Sequence, residues 1–232
     1  MPEYKLAETT MGYKTLKAIS PNTIYEVDPR LKEGSQKMKS YLTSPSFNRI
    51  AVDAKGRYAI STTNGEIRLF DDIGKNANCK YALGEPVLHL ESTKDGRWLL
   101  ATFKTYLLLI PTETEEEVNL YENKVLFKDR PRPIKLHIKL EHLQLCQVSD
   151  FEMVPAKFDE RKGGKEMFIV SGFGKFVVIW NLAQVIRGEK DNYKFHSIDG
   201  EIVQTDFMFD TVKKLIMTTS SGIVIKENKV KS

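Results

Sequence analysis

The chain has 232 residues, with 35 lysine and arginine residues against 31 aspartate and glutamate residues and a formal net charge of +4. Charges so nearly balanced indicate a mixed, ion-paired surface and argue against a nucleic-acid-binding protein. The two cysteines stand far apart in sequence and no apolar run approaches the roughly 18 residues of a membrane span, so we expect neither a disulfide framework nor a transmembrane segment.

Short apolar strands separated by turns recur along the chain. The clearest copy begins at Asp95-Gly96, which indicates a tight turn, and continues through Trp98 to a second apolar run at 106–110. The residue that closes the second strand of each such hairpin is in turn Asp28, Asp71, Pro111, Asn181 and Glu227. Three of the four spacings fall near the period of roughly 40–45 residues that is typical of four-stranded WD-type propeller blades, and the fourth contains an insert.

The other strands fall into phase with this repeat. We predict inner strands at 13–19, 57–62, 97–102, 166–171 and 214–219, each preceded by another strand that is clear at 47–52, 86–90, 150–154 and 202–209. Outer strands are predicted at 37–42, 135–140 and 193–198, and a short segment at 4–8 is the only candidate for closing the repeat.

The repeat therefore predicts an all-β, WD40-like β-propeller with about five four-stranded antiparallel blades. We expect one domain, 1–232, with blades at approximately 4–42, 46–83, 86–140, 149–198 and 201–227 and a loop insert at 112–133.

Several of these stretches resemble one known family. The most specific is Lys104-Thr105-Tyr106-Leu107-Leu108-Leu109-Ile110, and the segments at 65–70 and 174–181 fit as well. The chain is similar, from about residue 11 to about residue 224, to the C-terminal propeller domain of the vacuolar import and degradation family, type twenty-seven. One departure is Asn181, which stands where the family usually has aspartate after Trp180.

The resemblance implies a C-terminal portion of a larger, seven-bladed propeller that lacks about two upstream blades. It also implies a non-enzymatic protein–protein interaction scaffold that acts in vesicle-mediated vacuolar import and protein degradation. We expect a cytoplasmic location, unidentified protein partners, peripheral vesicle association and a dimer through an exposed blade edge.

No catalytic residue, metal site or cofactor is predicted. The four histidines and two cysteines form no Cys-x-x-Cys or His-Glu-x-x-His spacing. His142 precedes Cys146 by four residues, which would bring them together only on a helix, and we interpret 136–148 as a strand followed by a loop. Gly172 and Gly174 are interpreted as part of a hairpin turn rather than a phosphate-binding loop.

The insert contains the candidate partner-binding loop. Its basic residues are clustered around two prolines and one aromatic residue, and four glutamates precede them, at 113 and 115–117. The simplest interpretation is a self-neutralising, solvated loop. The rival hypothesis is that Lys124, Phe127, Lys128, Arg130 and Arg132 bind a partner, with contact to anionic lipid or RNA as a weaker alternative.

Eight residues are predicted to hold the repeat rather than a ligand: Asp28, Asp71, Asp95, Gly96, Trp98, Tyr106, Trp180 and Asn181. The aromatic members should pack between blades. Arg68 should form an ion pair with a neighbouring carboxylate, and a short helix is expected at 182–187.

A channel-site ligand binder or hydrolase is the alternative to a scaffold. Catalysis in a propeller channel would need acidic residues or histidines at equivalent inner-strand positions. The inner strands supply no such repeat, which favours the scaffold.

Overall fold

The computed structural model describes residues 5–7, 15–30, 37–159, 167–208 and 214–227. These residues form five antiparallel sheets, each built from strands that follow one another along the chain. The first sheet contains β1 (Lys5–Ala7), β2 (Leu16–Ser20), β3 (Thr23–Val27) and β4 (Lys37–Ser40). The second contains β5 (Phe47–Val52), β6 (Tyr58–Thr62), β7 (Glu66–Phe70) and β8 (Cys79–Ala82).

The remaining three sheets continue the same order. The third contains β9 (His89–Ser92), β10 (Trp98–Thr102), β11 (Tyr106–Pro111) and β12 (Ile134–His137). The fourth contains β13 (Lys157–Phe158), β14 (Phe168–Phe173), β15 (Phe176–Asn181) and β16 (Tyr193–Ser197). The fifth contains β17 (Ile202–Met208), β18 (Lys214–Thr219) and β19 (Gly222–Glu227). Helix α1 spans Leu140–Leu145, helix α2 spans Leu182–Ile186, and a 3₁₀ turn spans Phe127–Asp129.

The chain divides into two compact units. The first unit is formed by Met1–Ala101 with Ile110–Pro133, and the second unit by Thr102–Leu109 with Ile134–Ser232. In the first unit, Tyr58 and Phe70 stack with ring centroids 5.0 Å apart, at the centre of a core drawn from the first two sheets. In the second unit, β14 and β15 bury nearly every residue, because both of their faces are covered.

Glycines in the tight turns between strands adopt a positive φ, as the sequence predicts. Gly65 ends the turn between β6 and β7 with φ +77°, and Gly174 lies between β14 and β15 with φ +49°. Gly172, however, lies within β14 and pairs with Val177, so its interpretation as a turn residue is wrong. A side chain there would overlap Ile202 and the backbone of Phe176, so glycine serves close packing rather than the turn.

Two outer segments differ from expectation. The strand predicted at 135–140 ends at His137, and Leu140 begins α1 instead. The described residues 150–154 form no strand, although one is predicted there. The outer strand of this sheet is β13 instead. The backbone donors of this segment diverge, because the Val154 N–H donates to the Gly172 carbonyl of β14 at 2.9 Å, whereas the Met153 N–H donates to the Lys104 carbonyl at 2.7 Å. Strand β9 also lies two to three residues later than predicted.

Asn181 is the N-cap of helix α2. The Asn181 Oδ1 atom accepts a hydrogen bond from the Gln184 N–H at 3.0 Å, which caps the helix. Leu182 and Val185 are buried beneath it, so the cap fixes a short helix that is packed into the second unit.

We predict that Asn181→Ala lowers the free energy of unfolding by about 1 kcal/mol, because the capped N–H loses its acceptor. Asn181→Asp keeps the acceptor and should change the free energy of unfolding by no more than a few tenths of a kcal/mol. Urea denaturation of the three proteins measures both values. An equal loss in both variants would contradict a capping role.

Candidate interaction site

The middle of the insert is part of the first unit's core. Leu120 and Tyr121 have no exposed surface, and Thr112 is buried as well. The Thr112 N–H donates to the Arg97 carbonyl at 3.0 Å, and the Leu120 N–H donates to the Thr112 carbonyl at 2.8 Å. The interpretation of the insert as a solvated loop is therefore wrong for this part.

Two acidic residues of the insert pair with bases outside it. Glu113 lies 3.4 Å from the Arg97 guanidinium, and Glu122 accepts a hydrogen bond from Arg57 at 2.8 Å. Within the described residues no ion pair joins an acidic and a basic residue of the insert. In this part of the chain the basic residues of the insert are therefore not paired with its acidic residues.

A buried ion pair holds the insert in place. Asp53 has no exposed surface, and its carboxylate accepts hydrogen bonds from the Arg57 N–H at 2.9 Å and the Arg57 Nε at 2.6 Å. Arg57 also donates to the Asp95 carbonyl at 3.1 Å, and its guanidinium lies 5.3 Å from the Tyr121 ring centroid. Arg57 therefore joins the turn after β5, the turn before β10 and the insert.

The electrostatics of this cluster follow from its burial. Burial raises the pKa of the Asp53 carboxyl, and the Arg57 charge with two backbone N–H donors opposes that rise. Burial also raises the pKa of the Tyr121 hydroxyl, which therefore stays neutral against the ion pair. The pair is buried with its hydrogen bonds made, which is the condition under which a buried pair is tolerated.

Gly96 allows the close approach that this cluster needs. Its φ of +72° lies in the left-handed region, and a side chain at Gly96 would overlap the Asp53 carboxylate and the Arg57 guanidinium. Asp95 fixes the same turn, since its Oδ1 accepts the Arg97 N–H at 2.9 Å. The Asp95-Gly96 turn is thus a point of contact between two strand connections.

Arg130 fastens the second half of the insert. Its Nη1 donates to the Lys80 carbonyl of β8 at 2.6 Å, and its Nε donates to the Val125 carbonyl at 3.1 Å. The Asn78 side chain donates to the Tyr121 carbonyl at 2.6 Å from the same side. Of the five predicted partner-binding residues, Arg130 is therefore held by the fold and acts as a positioning residue.

The other four predicted residues point outward. Lys124, Phe127, Lys128 and Arg132 are exposed, with 82% of Phe127 accessible. In the described part of the chain no hydrogen bond or ion pair involves the three cations among them. Leu126 is 66% exposed beside Phe127 and was missed by the sequence reasoning, although its place in an apolar run amid charged residues was a usable signal. We call residues 124–128 the insert tip.

The repeat positions lie in their own turns and form no shared site. Asp28 and Asp71 directly follow β3 and β7, and Asn181 is the last residue of β15. Asp28 pairs with Arg30 at 2.5 Å, and Asp71 pairs with Lys75 at 2.5 Å.

The aromatic repeat positions and Arg68 have structural contacts. Trp180 is fully buried, and Tyr106 stacks on Phe103 with ring centroids 4.7 Å apart, while Trp98 is half-buried. The Arg68–Glu66 ion pair, at 2.5 Å, confirms the prediction for Arg68.

His142 lies in α1 and Cys146 is the C-cap of that helix, so the interpretation of 136–148 as a strand followed by a loop is wrong after His137. The Cys146 N–H donates to the His142 carbonyl at 3.0 Å. The His142 ring is hydrogen-bonded to the Tyr193 hydroxyl at 2.6 Å, and burial raises the pKa of the Cys146 thiol. A raised pKa and an occupied imidazole are the opposite of an activated nucleophile. No group of three metal-ligating side chains occurs in the described ranges.

Comparison with known proteins decides the family. Residues 1–231 match the model of the VID27 C-terminal WD40-like domain. The chain belongs to this family. The resemblance drawn from the sequence is confirmed, and so is the WD40-like β-propeller fold.

Two relatives of the VID27 family show how much of a longer protein this chain spans. It is 35% identical to vacuolar import and degradation protein 27 of Schizosaccharomyces pombe, over 97% of this chain and 29% of that protein. It is 26% identical to the Saccharomyces cerevisiae protein of the same name, over 94% of this chain and 30% of that protein. The chain therefore spans less than a third of the length of either relative.

A solved structure supports the fold of the VID27 domain. The β-propeller domain of Cps50 (Swd1) from Myceliophteria thermophila aligns with a TM-score of 0.59 at 9% identity, covering 92% of this chain and 64% of that one. At this identity the likeness concerns the fold alone. No helix among the described residues has the length and apolarity needed to cross a bilayer.

We predict that Gly96→Ala lowers the free energy of unfolding by about 3–5 kcal/mol, because it forces the buried ion pair apart. Gly74→Ala is the matched control, since Gly74 also has a positive φ, +94°, but has open space where a side chain would point. It should cost only about 1 kcal/mol. Denaturation followed by tryptophan fluorescence measures both, and equal losses would contradict the contact at Gly96.

We predict that Arg130→Gln raises the rate of chymotryptic cleavage after Phe127 several-fold, because the insert tip loses its two carbonyl contacts. Arg132→Gln removes the same charge two residues away and should leave the rate unchanged. Mass spectrometry of limited digests locates and times the cut. Equal rates in both variants would show that Arg130 does not fasten the tip.

We predict that the two thiols react at different stages of unfolding. Burial raises the pKa of both Cys79 and Cys146, so both are neutral thiols near pH 7. Cys146 is half-buried and should react slowly with a maleimide in the native protein. Cys79 is buried and should react only after the protein unfolds. Rapid labelling of Cys146 at pH 6 would contradict this and would indicate an activated thiolate.

Proposed function

We propose that this chain is a non-enzymatic scaffold that binds other proteins and acts in vesicle-mediated vacuolar import and protein degradation. The names of its relatives support the pathway, and its WD40-like fold supports a binding role. Because the chain spans less than a third of those relatives, the role of the whole protein is part of the proposal.

The observation that carries the proposal is the insert. Its core is fixed by Arg57 and its second half by Arg130, yet its tip presents apolar and basic side chains outward. A rigid base with outward, unpaired side chains is the usual arrangement for loops that bind. The assignment of Lys124, Phe127, Lys128 and Arg132 to an interaction surface therefore stays our proposal, and Arg130 supports them.

Hydrolase activity or ligand binding in a channel is the rival function. The cysteine and histidine that lie closest in sequence, Cys146 and His142, are a neutral thiol and an imidazole bonded to Tyr193. No specific observation favours this rival.

A cytoplasmic location and a dimer through a blade edge are also proposals. Strand β19 offers such an edge, with Ile223 and Ile225 70% and 52% exposed. Measurement of the mass in solution at several concentrations tests the dimer, and a monomer at all of them would reject it.

Affinity purification tests the scaffold. The tagged chain, cross-linked in cells and purified, should carry partners in near-stoichiometric amounts, and the unfolding-prone Gly96→Ala variant should lose them. Turnover of simple esters or glycosides should be no faster with the purified chain than with buffer. Purification without partners, together with measurable turnover, would reverse the assignment in favour of an enzyme.

A further inference from the structure

We propose that the insert tip, residues 124–128, contacts the surface of an anionic membrane. The inference rests on the interaction surface proposed above and names an anionic lipid surface as its ligand, so that the protein partners of the scaffold bind the rest of the domain. The inference depends on three features of the tip: its apolar side chains, its charge and its attachment.

The apolar part of the tip is small and protruding. Leu126 and Phe127 are adjacent, and 66% and 82% of their surfaces are accessible. Phe127 begins the 3₁₀ turn that ends at Asp129, and no residue of that turn is buried. One or two outward apolar side chains on a turn suit shallow insertion between lipid headgroups, where aromatic and leucine side chains are favoured.

The charge around these side chains is positive on both sides. Lys124 precedes them, and Lys128 and Arg132 follow, with none of the three paired among the described residues. Asp129 is the single acidic residue between 124 and 132, against four basic ones. Basic residues next to an apolar anchor are what an anionic leaflet attracts.

The attachment of the tip lowers the cost of binding. Arg130 holds the backbone at Val125 and at Lys80, and its guanidinium lies 5.7 Å from the Phe127 ring centroid. A turn that is already ordered loses little conformational freedom when it meets a surface. The glutamates at 115–117 of the same insert are exposed and of opposite charge. They lie outside the tip, and the charged residues of the tip itself are basic.

Vesicle flotation tests the proposal directly. The full chain is mixed with vesicles of phosphatidylcholine containing about 30% phosphatidylserine, and with vesicles of phosphatidylcholine alone, at low and high salt. We expect binding to the anionic vesicles only, with loss at high salt. Leu126→Ser combined with Phe127→Ser should weaken binding about tenfold. Lys124→Gln, Lys128→Gln and Arg132→Gln combined should weaken binding about a hundredfold.

Matched controls separate the tip from general effects. Leu140→Ser with Leu145→Ser removes two other exposed leucines, and Lys55→Gln, Lys104→Gln and Lys194→Gln remove the same net charge elsewhere. Both controls should bind within twofold of the unaltered chain. In a second readout, a tryptophan is introduced by Phe127→Trp or by Leu140→Trp. Brominated acyl chains should quench the added fluorescence of Phe127→Trp but not that of Leu140→Trp.

The outcomes distinguish lipid from protein. Failure of the unaltered chain to bind anionic vesicles would overturn the proposal, as would equal losses in the tip variants and their controls. Loss of a purified protein partner in the tip variants, without vesicle binding by the unaltered chain, would assign the tip to a protein instead. Retention of protein partners by the tip variants leaves the scaffold function intact, so the two proposals can fail separately.

Discussion

The buried ion pair between Asp53 and Arg57 is the constraint on which the arrangement of the first unit depends. A buried guanidinium needs hydrogen-bond acceptors, and here these are the Asp53 carboxylate in the turn after β5, the carbonyl of Asp95 and the carboxylate of Glu122. Removing one partner would leave a buried charge unpaired, at a cost of about 3–5 kcal/mol. The insert and the two neighbouring turns are therefore fixed together.

This constraint links the interior of the unit to its candidate interaction surface. Glu122 and Tyr121 bring the insert to Arg57, and a few residues later Arg130 fastens the chain to β8. Between these two attachments lies the tip, with its exposed leucine and phenylalanine. A surface that is held from both sides can present side chains in one arrangement, which is why we assign interaction to this segment rather than to the acidic part of the insert.

The sequence predicted the strands well and the irregular segments poorly. Turn glycines such as Gly96 and apolar runs such as 106–110 have strong local signals, and most strands were placed within a few residues. Helix α1 was missed because Lys139 provides no side-chain cap at its start. The buried residues Leu120 and Tyr121 were missed because an irregular segment has no period that reveals its burial. The role of Arg130 depends on a contact fifty residues away, which no local pattern contains.

Hydrogen exchange at the insert tests the central account most directly. If the ion pair makes the insert part of the core, the amides of Leu120, Tyr121 and Asn123, all of which are hydrogen-bonded, should be protected to within about tenfold of those in β6. The amides of the tip should exchange faster than these. Exchange of all residues from 112 to 133 at the rate of a free peptide would contradict the account, because the insert would then be a solvated loop.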